Sequence, residues 1–458
     1  MKNRLIALLI MIVLALAACA NDNQEGQPAA ASHQTAAQEN PDEPQMDFAG
    51  QTLSIAVTWS NSIDQFAELY MEANPGVTIL INNFDGDFER YMEQIPIQLM
   101  AGTADDLIDT MGIDEADPST TALLADWFPV IQAAPNFNEA DYFMNVFEAA
   151  SINGQLFVFP MVFSFDMISA NNSVPGLADA FRGRSGISAV GLQELLRAFP
   201  SESPLSLHEN HDILNATFWG IENFLDFENR TSHFNTPEFI DFLTEAREMT
   251  SPEREHIGWM MSQTYHSPEA LAEQSQLYYF RQSIPQSYQF MLPFQEELLF
   301  SGHIPFTNDR GQLMVSPFFS YALNGRSTPE VQALAFDFLR FMQDPSHFEG
   351  DIWMYTMVPV YRPLLRSLLE WELPGRIAHF EEEYGWRLTG STDQAVAGVI
   401  AEFESILQMP MTRTFVANEA VMNIIFEVIG QFDDGLLTAE QAAADLQNRV
   451  SLALMELG

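Results

Sequence analysis

The stretch Leu53-Ser-Ile-Ala-Val-Thr-Trp59 is an apolar run with the length of one buried β-strand. A helix is predicted to follow it, because the apolar side chains of residues 66–73 recur with the spacing of one helix face. Residues 77–81 are rich in β-branched side chains and predict a second strand, residues 91–100 predict a second helix, and residues 106–111 predict a third strand. The order strand, helix, strand, helix, strand is typical of an α/β protein with a parallel sheet.

The carboxyl ends of these strands are the expected position of a binding site. In open parallel sheets, ligands bind in the crevice beyond the carboxyl ends of the strands. The residues that follow the three predicted strands include Trp59, Asp85 and Asp114. We therefore expect these three side chains to lie along one rim of the sheet.

The charge balance excludes several classes of partner. The chain has 63 Asp and Glu residues against 19 Lys and Arg, which gives a formal net charge of −44. Lys2 is the only lysine, and loss of Lys2 and Arg4 with a leader segment would take the net charge to −46. Nucleic acids and anionic lipid surfaces are bound by patches of Lys and Arg, so we expect neither to be a partner of the protein body. A chain of 458 residues with 47% hydrophobic residues can form two or three domains with sizeable cores.

The N-terminal region predicts an export signal, a lipid anchor and a tether. Two basic residues precede an apolar run at residues 5–18, which is shorter than the roughly 20 residues of a membrane-spanning helix. Cys19, the only cysteine of the chain, closes the run Leu16-Ala-Ala-Cys19 and resembles the lipobox cysteine of bacterial lipoproteins. That resemblance implies cleavage before Cys19 and a diacylglycerol on its thiol, which would hold the protein on the cell membrane outside the cytoplasm. Residues 20–46 have no periodic apolar pattern and predict a disordered tether.

The motifs of metal, cofactor and catalytic chemistry are absent or incomplete. His208 and His211 are three residues apart, whereas a zinc-binding helix needs two histidines four residues apart. The acidic segment at residues 84–89 lacks the remaining ligand positions of a calcium loop. We therefore predict no metal, no cofactor and no enzyme activity. The many carboxylates nevertheless leave open a pair that hydrolyses glycosides.

Aromatic side chains are the remaining candidates for ligand binding. Sugars stack their apolar C–H faces on aromatic rings, while amides and carboxylates bond to their hydroxyl groups. Aromatic residues make up 12% of the chain, and most of them are expected in cores. Those near predicted strand ends or lobe connections are Trp59, Phe163, Phe165, Trp219, Trp353 and Tyr355.

Several segments together resemble the extracellular solute-binding proteins of family 1, which serve ABC importers. Asn153-Gly-Gln-Leu-Phe-Val-Phe-Pro160 resembles the segment in which the chain of these proteins first crosses between two lobes. Ala335-Phe-Asp-Phe-Leu-Arg-Phe-Met342 is similar to the helix after the return crossing, and Val358-Pro-Val-Tyr361 is similar to the segment that follows it. Residues 234–243 resemble a second-lobe segment, and residues 435–456 resemble the closing helix.

The resemblance implies a two-lobe α/β fold of the periplasmic-binding-protein type, class II. Each lobe would be a mostly parallel sheet flanked by helices, and hinge crossings would join the lobes around a ligand cleft. Residues 360–395 match no part of the family pattern. The predicted segments are residues 1–18 (signal peptide), 19–47 (lipidated cysteine and tether), 48–160 plus about 311–352 (lobe 1), and 161–310 plus about 353–458 (lobe 2).

The resemblance also implies a function. The protein would be a monomeric, cell-surface binding component of an ABC importer that captures a carbohydrate, in particular an oligosaccharide, and delivers it to the permease subunits. The implied ligand-binding residues are Trp59, Asp85 and Asp114 on the first lobe, Phe163 and Phe165 at the crossing, Trp219 on the second lobe, and Trp353 and Tyr355. Three alternatives stay open: a surface glycan-active enzyme, a sensor lipoprotein, and a polyamine- or peptide-binding protein, of which a polyamine would suit the acidic field.

Overall fold

The computed structural model describes the chain in several ranges, which are residues 47–60, 63–110, 113, 115, 117–135, 137–199, 206–207, 223–226, 229–249, 277–281, 300–347, 357–383, 385–413 and 419–456. Outside these ranges lie the predicted signal peptide, the tether up to residue 46, and His208, His211, Cys19, Asp114, Trp219, Trp353 and Tyr355. Within the ranges, no helix is both long enough and apolar enough to span a membrane.

The described strands are β1 (Thr52–Val57), β2 (Thr78–Asn83), β3 (Leu107–Asp109), β4 (Val158–Asn171), β5 (Ser206–Leu207), β6 (Leu225–Asp226), β7 (Thr231–Ser232), β8 (Leu277–Arg281), β9 (Phe300–Pro305), β10 (Leu313–Leu323), β11 (Val358–Pro359) and β12 (Met411–Arg413). The described α-helices are α1 (Ile63–Ala73), α2 (Phe88–Ala101), α3 (Pro118–Thr121), α4 (Trp127–Ala133), α5 (Met144–Ala150), α6 (Leu177–Phe181), α7 (Ala189–Ala198), α8 (Pro237–Met249), α9 (Pro329–Gln343), α10 (Arg362–Glu383), α11 (Thr392–Ile406), α12 (Glu419–Asp433) and α13 (Ala439–Glu456). Short 3-10 helices lie at Glu139–Asp141 and Pro345–His347.

Strands β1, β2 and β3 form the parallel sheet that the sequence predicts for the first lobe. Strand β1 lies between β2 and β3 and is parallel to both. Helix α2 begins after its N-cap Asp87 and ends at Gly102, which adopts the left-handed conformation that glycine tolerates. Tyr91, Ile95 and Leu99 recur every four residues along α2, and they are buried in a cluster that includes residues of β1 and β3. The predicted order of strands and helices is confirmed for this part of the chain.

Two long strands connect the lobes. The first half of β4 pairs antiparallel with β10, from Val158 opposite Ala322 to Ser164 opposite Ser316. The second half of β4, from Asp166 onwards, pairs with β8 and β9 instead. Strand β11 also pairs with the first half of β4. The crossings predicted from the sequence are therefore neighbouring strands of one continuous sheet.

The second lobe differs from the predicted mostly parallel sheet. Among its described strands, β5 is parallel to β8, but β8 and β9 are both antiparallel to β4. Chain direction explains the β9 pairing. Strand β4 runs out of the first lobe. Strand β9 leads into β10, which runs back to the first lobe, so β9 and β4 have opposite directions and pair antiparallel.

Buried side chains form a larger core, a smaller core and the small cluster around α2 described above. The larger core contains the strands of the first lobe with α1, α4, α5 and α9, and the smaller core contains α6, α7, α8, α12 and α13. Helices α10 and α11 pack in the larger core, where the ring of Phe403 meets Phe165 edge-on at 6.1 Å between centroids. The lobe boundaries given above stay a prediction. The packing groups residues 357–411 with the first lobe, although those boundaries place them in the second.

We expect Phe159→Ala to lower the free energy of unfolding by about 3–5 kcal/mol, because a buried phenylalanine is lost and a cavity remains. Phe159 has no exposed surface, and its ring contacts Trp127, Phe147 and Phe336, so it ties three helices to the crossing strand β4. Denaturant unfolding measures the change. The matched control is Leu80→Ala on β2, which is 54% exposed and should cost under about 1 kcal/mol. Equal losses from the two variants would contradict the assignment of Phe159 to the core.

Candidate ligand-binding site

The carboxyl ends of β1, β2 and β3 are hydrogen-bonded into one rim. Thr58 Oγ1 donates to Asp109 Oδ2 at 2.5 Å, which joins the end of β1 to the end of β3. The backbone amides of Phe84 and Gly86 donate to the carbonyl oxygens of Val57 and Thr58 at 3.0 and 2.8 Å, which joins the end of β2 to the end of β1. The rim is therefore held in shape by the protein itself, and a ligand that binds there does not have to order it.

A buried tyrosine supports this rim. Tyr91 has no exposed surface, and its hydroxyl donates to the carbonyl oxygen of Asp109 at 2.7 Å. Burial, and after it the neighbouring charge of Asp109, raises the pKa of Tyr91 well above its ordinary value. The hydroxyl therefore stays protonated at physiological pH and remains a hydrogen-bond donor to the end of β3.

Trp59 and Asp85 are brought together at the rim, as the sequence predicts. The indole of Trp59 is partly exposed and packs edge-on against Phe88, with 5.0 Å between ring centroids. It also lies directly on Gly86, where a Cβ atom would come within 1.9 Å of the indole nitrogen. Asp85 is exposed and has a φ of 54°, which is uncommon for a residue with a side chain, and its amide donates to Asn83 Oδ1. The chain after β1 thus places a partly exposed indole on Gly86, and the exposed Asp85 is the neighbouring residue in the turn after β2.

Among the residues that the structure describes, a gap between two paired strands lies next to this rim. Strand β3 pairs antiparallel with β10 at residues 321–323, and β12 pairs parallel with β10 at residues 313–315. Both strands lie on the same side of β10, because β4 and the bridge from Thr307 to Leu313 occupy the other side. The carboxyl ends of β3 and β12 therefore point at each other across the middle of β10.

Two phenylalanines in this gap were not among the predicted site residues. Phe318 and Phe319 are partly exposed, their rings meet edge-on at 5.4 Å, and Phe319 has a φ of 40°. A bulky residue with positive φ is a genuine backbone outlier, and such outliers cluster at functional sites. A sequence signal was present in Pro317, because proline within a strand indicates that one side of the strand is not paired at that residue.

A buried ion pair joins the two strand ends. Arg413, the last residue of β12, donates from Nη1 and Nη2 to the two carboxylate oxygens of Glu115 at 2.6 and 2.8 Å. The Arg413 side chain is 15% exposed and that of Glu115 is 9% exposed. Burial by itself lowers the pKa of Arg413, but the charge and hydrogen bonds of Glu115 outweigh it and raise that pKa. The guanidinium of Arg413 therefore stays charged, and the pair is of the bidentate kind that holds a fixed geometry.

The other predicted ligand-binding residues lie elsewhere or outside the described ranges. Phe163 has no exposed surface and Phe165 is 5% exposed, and both rings pack in the larger core. The site described here therefore rests on Trp59 and Asp85 and not on these two rings. Asp114, Trp219, Trp353 and Tyr355 are outside the described residues, so their predicted role stays a prediction. Within the described part of the chain, no group of three or more His, Cys, Asp or Glu side chains is placed to hold a metal ion.

Comparison with solved structures identifies the class of fold. No protein-family model matches the chain, and no curated protein matches it. Solved structures do match. The sugar-binding protein MalE of Xanthomonas citri has 13% sequence identity and a TM-score of 0.58, and the match covers 88% of this chain and 98% of that one. The oligogalacturonide-binding protein of Yersinia enterocolitica has 12% identity and a TM-score of 0.55, with 89% and 99% covered.

A third match is a structure whose own name gives a protein family. The extracellular solute-binding protein family 1 member of Alicyclobacillus acidocaldarius has 12% identity and a TM-score of 0.54, with 88% of this chain and 98% of that chain covered. This chain therefore has the two-lobe fold of the extracellular solute-binding proteins. The predicted class of fold is confirmed, and each of these matches covers nearly the whole length of the matched protein.

We expect Gly86→Ala to displace the Trp59 ring and to lower the free energy of unfolding by about 2 kcal/mol or more, since it combines a left-handed backbone position with a steric clash. The matched control is Gly154→Ala. Its φ of 76° is close to the 79° of Gly86, but nothing lies within 4 Å of the added methyl group. The control should cost only about 1 kcal/mol. Thermal unfolding and near-ultraviolet circular dichroism measure the two effects, and equal losses would mean that the glycine does not support the indole.

Proposed function

We propose that this protein is the binding component of an ABC importer and captures a carbohydrate in the cleft at the rim of the first lobe. The observation that carries the proposal is the partly exposed ring of Trp59, held on Gly86 beside the exposed carboxylate of Asp85. A sugar can stack its C–H face on the indole while a hydroxyl group donates to the carboxylate. The proposal involves binding and release only, with no covalent step.

The stretch of β10 between the ends of β12 and β3 has the length of an oligosaccharide, although the Glu115–Arg413 pair occupies part of it. From Val315, opposite the end of β12, to Tyr321, opposite the end of β3, a strand extends about 20 Å at about 3.3 Å per residue. Phe318 and Phe319 lie within this stretch and offer further partly exposed rings. In this proposal a ligand of several sugar units contacts Trp59 and these rings together.

The named relatives support a sugar as the class of ligand. The Xanthomonas structure is of a sugar-binding protein, and the Yersinia structure is of an oligogalacturonide-binding protein. At 12–13% identity these relatives support the class and leave the individual sugar open. The net charge of −44 disfavours an anionic ligand such as a galacturonide, so we propose a neutral oligosaccharide.

Transport would follow from a shift in population between open and closed forms. A ligand that contacts both lobes only when they approach each other binds the closed form more tightly and therefore stabilises it. The strands β4 and β10 are the connections about which the lobes would move. In this proposal the permease recognises the closed, loaded form.

We expect a neutral oligosaccharide to bind to the protein. We expect Trp59→Ala to raise the dissociation constant of this oligosaccharide at least tenfold. The loss of a stacked indole face is worth about 1.4 kcal/mol or more, which corresponds to a factor of ten. The measurement is isothermal titration calorimetry of the chain from residue 19. The ligands are maltotetraose, cellotetraose, tetragalacturonate, spermidine and a tetrapeptide. The control is Trp371→Ala on α10, an indole that is 49% exposed and far from the rim in sequence, which should leave the affinity unchanged.

The same panel separates the alternatives. Binding of spermidine or of the tetrapeptide without binding of any sugar would reject the carbohydrate assignment and favour one of the other ligand classes. Appearance of shortened sugars during incubation would favour a glycan-active enzyme. Loss of affinity in the Trp371 control equal to that in the Trp59 variant would mean that the rim is not the binding site.

We also propose that a lipid on Cys19 anchors the protein to the cell membrane outside the cytoplasm. Cys19 is the only cysteine and follows an apolar run with a small-residue ending. A tethered binding protein stays at a high effective concentration near its permease.

We expect Cys19→Ala to release the protein from the membrane fraction or to block its maturation, while the purified variant keeps its ligand affinity. Membrane retention of Cys19→Ala, tested by cell fractionation and blotting, would argue against the anchor.

A further inference from the structure

The Glu115–Arg413 ion pair is a costly feature for which the fold alone gives no reason. A charge that is removed from water loses hydration energy, and apolar side chains of similar size often replace such pairs without loss of stability. The two residues are separated by 298 positions in the sequence, so the pair can form only in the folded protein. It is also made by an arginine in a chain whose only lysine is Lys2.

The position of the pair connects three parts of the molecule. Glu115 lies between the end of β3, where Asp109 accepts the hydrogen bond of Thr58, and Asp117, the N-cap of α3. Arg413 ends β12, which is paired with the connecting strand β10. The chain that leaves β12 continues into α12, which belongs to the smaller core of the second lobe.

The bidentate geometry constrains the pair more than a simple charge contact would. Two parallel hydrogen bonds of 2.6 and 2.8 Å fix both the distance and the plane of the carboxylate relative to the guanidinium. Because Glu115 is 9% exposed, water competes little for it. Glu115 is therefore fastened to Arg413 at the end of β12.

We propose that Arg413 is a positioning residue for the ligand rim: through Glu115 it fixes the chain that leaves β3, and it thereby couples the rim of the first lobe to the connection with the second lobe. This inference rests on the proposed function for the statement that the rim binds a ligand. The fastening of the chain after β3 does not depend on any ligand, and it can be tested separately.

The first test measures hydrogen exchange without ligand. In the chain from residue 19, we expect Arg413→Met to increase the exchange rate of peptides that cover residues 109–117 at least tenfold, while peptides from α13 keep wild-type protection. The matched control is Arg449→Met, which breaks a more exposed pair with Glu427 in the second lobe, where the side chains are 35% and 33% exposed. This control should leave residues 109–117 unchanged. Wild-type exchange at residues 109–117 in a folded Arg413→Met protein would overturn the proposal, whatever the ligand is.

The second test asks whether the positioning matters for binding. We expect Arg413→Met to raise the dissociation constant for the tightest-binding sugar of the panel at least tenfold, and Arg449→Met to change it less than twofold. If no sugar binds but exchange at residues 109–117 rises, the positioning role holds and the carbohydrate assignment fails. If a sugar binds with wild-type affinity to Arg413→Met, the coupling to the ligand rim is wrong.

Two further variants keep the inference testable if Arg413→Met does not fold. Arg413→Lys keeps the charge but cannot form the two parallel bonds, so we expect faster exchange at residues 109–117 in a protein of near wild-type melting temperature. The double variant Glu115→Arg with Arg413→Glu restores the pair in reverse order and should recover at least part of the protection. Wild-type exchange in Arg413→Lys, or no recovery in a folded double variant, would show that the bidentate pair does not position the chain.

Discussion

The antiparallel pairing of β4 with β10 is the constraint on which the rest of the structure depends. Every residue of β4 is buried, and its first half pairs with β10 while its second half pairs with β8 and β9 in the same continuous sheet. The pairing of Ser164 with Ser316 gives the register of the two strands, and this register decides which side chains of the crossing face each core. A slip by one residue would turn every side chain of the crossing to the opposite face, and both cores adjoin this sheet. The register of these two strands therefore sets which of their residues lie beside β3, β11 and β12.

The candidate site is a consequence of that register. Strands β3 and β12 approach β10 on the same side but from opposite ends, so neither of them completes the sheet in the middle. The polar groups that would be left at such a discontinuity are partly satisfied by the protein, through Thr58 with Asp109 and through Arg413 with Glu115. The rings of Trp59, Phe318 and Phe319 remain partly exposed around it. A discontinuity between two lobes is the place where α/β proteins of this kind bind ligands, and here it follows from strand direction and length.

Local sequence patterns predict the first lobe well and the crossing poorly, for physical reasons. Strand β1, helix α1 and strand β2 follow from apolar periodicity, and the rim position of Trp59 and Asp85 follows from their place after these strands. The position of Phe163 and Phe165 near a predicted crossing predicts that they line the cleft, but β4 is buried on both faces. The sequence of such a strand does not alternate between apolar and polar residues, so it gives no sign of which side chains lie in the core and which lie in a site. The Glu115–Arg413 pair could not be predicted, because no local pattern relates residues that are 298 positions apart.

The balance of groups at the rim favours recognition through ring faces over recognition through charge. The carboxylate of Asp109 already accepts from Thr58, and the guanidinium of Arg413 is already bound by Glu115, so both charges are partly engaged within the protein. Asp85 is an exposed carboxylate at the rim and can accept a hydroxyl group at little cost. A polyamine would need several exposed carboxylates at matching distances, whereas a neutral sugar needs flat apolar surface and one or two acceptors. Rings that are held in place, such as Trp59 on Gly86, meet that need without the entropy cost of ordering them on binding.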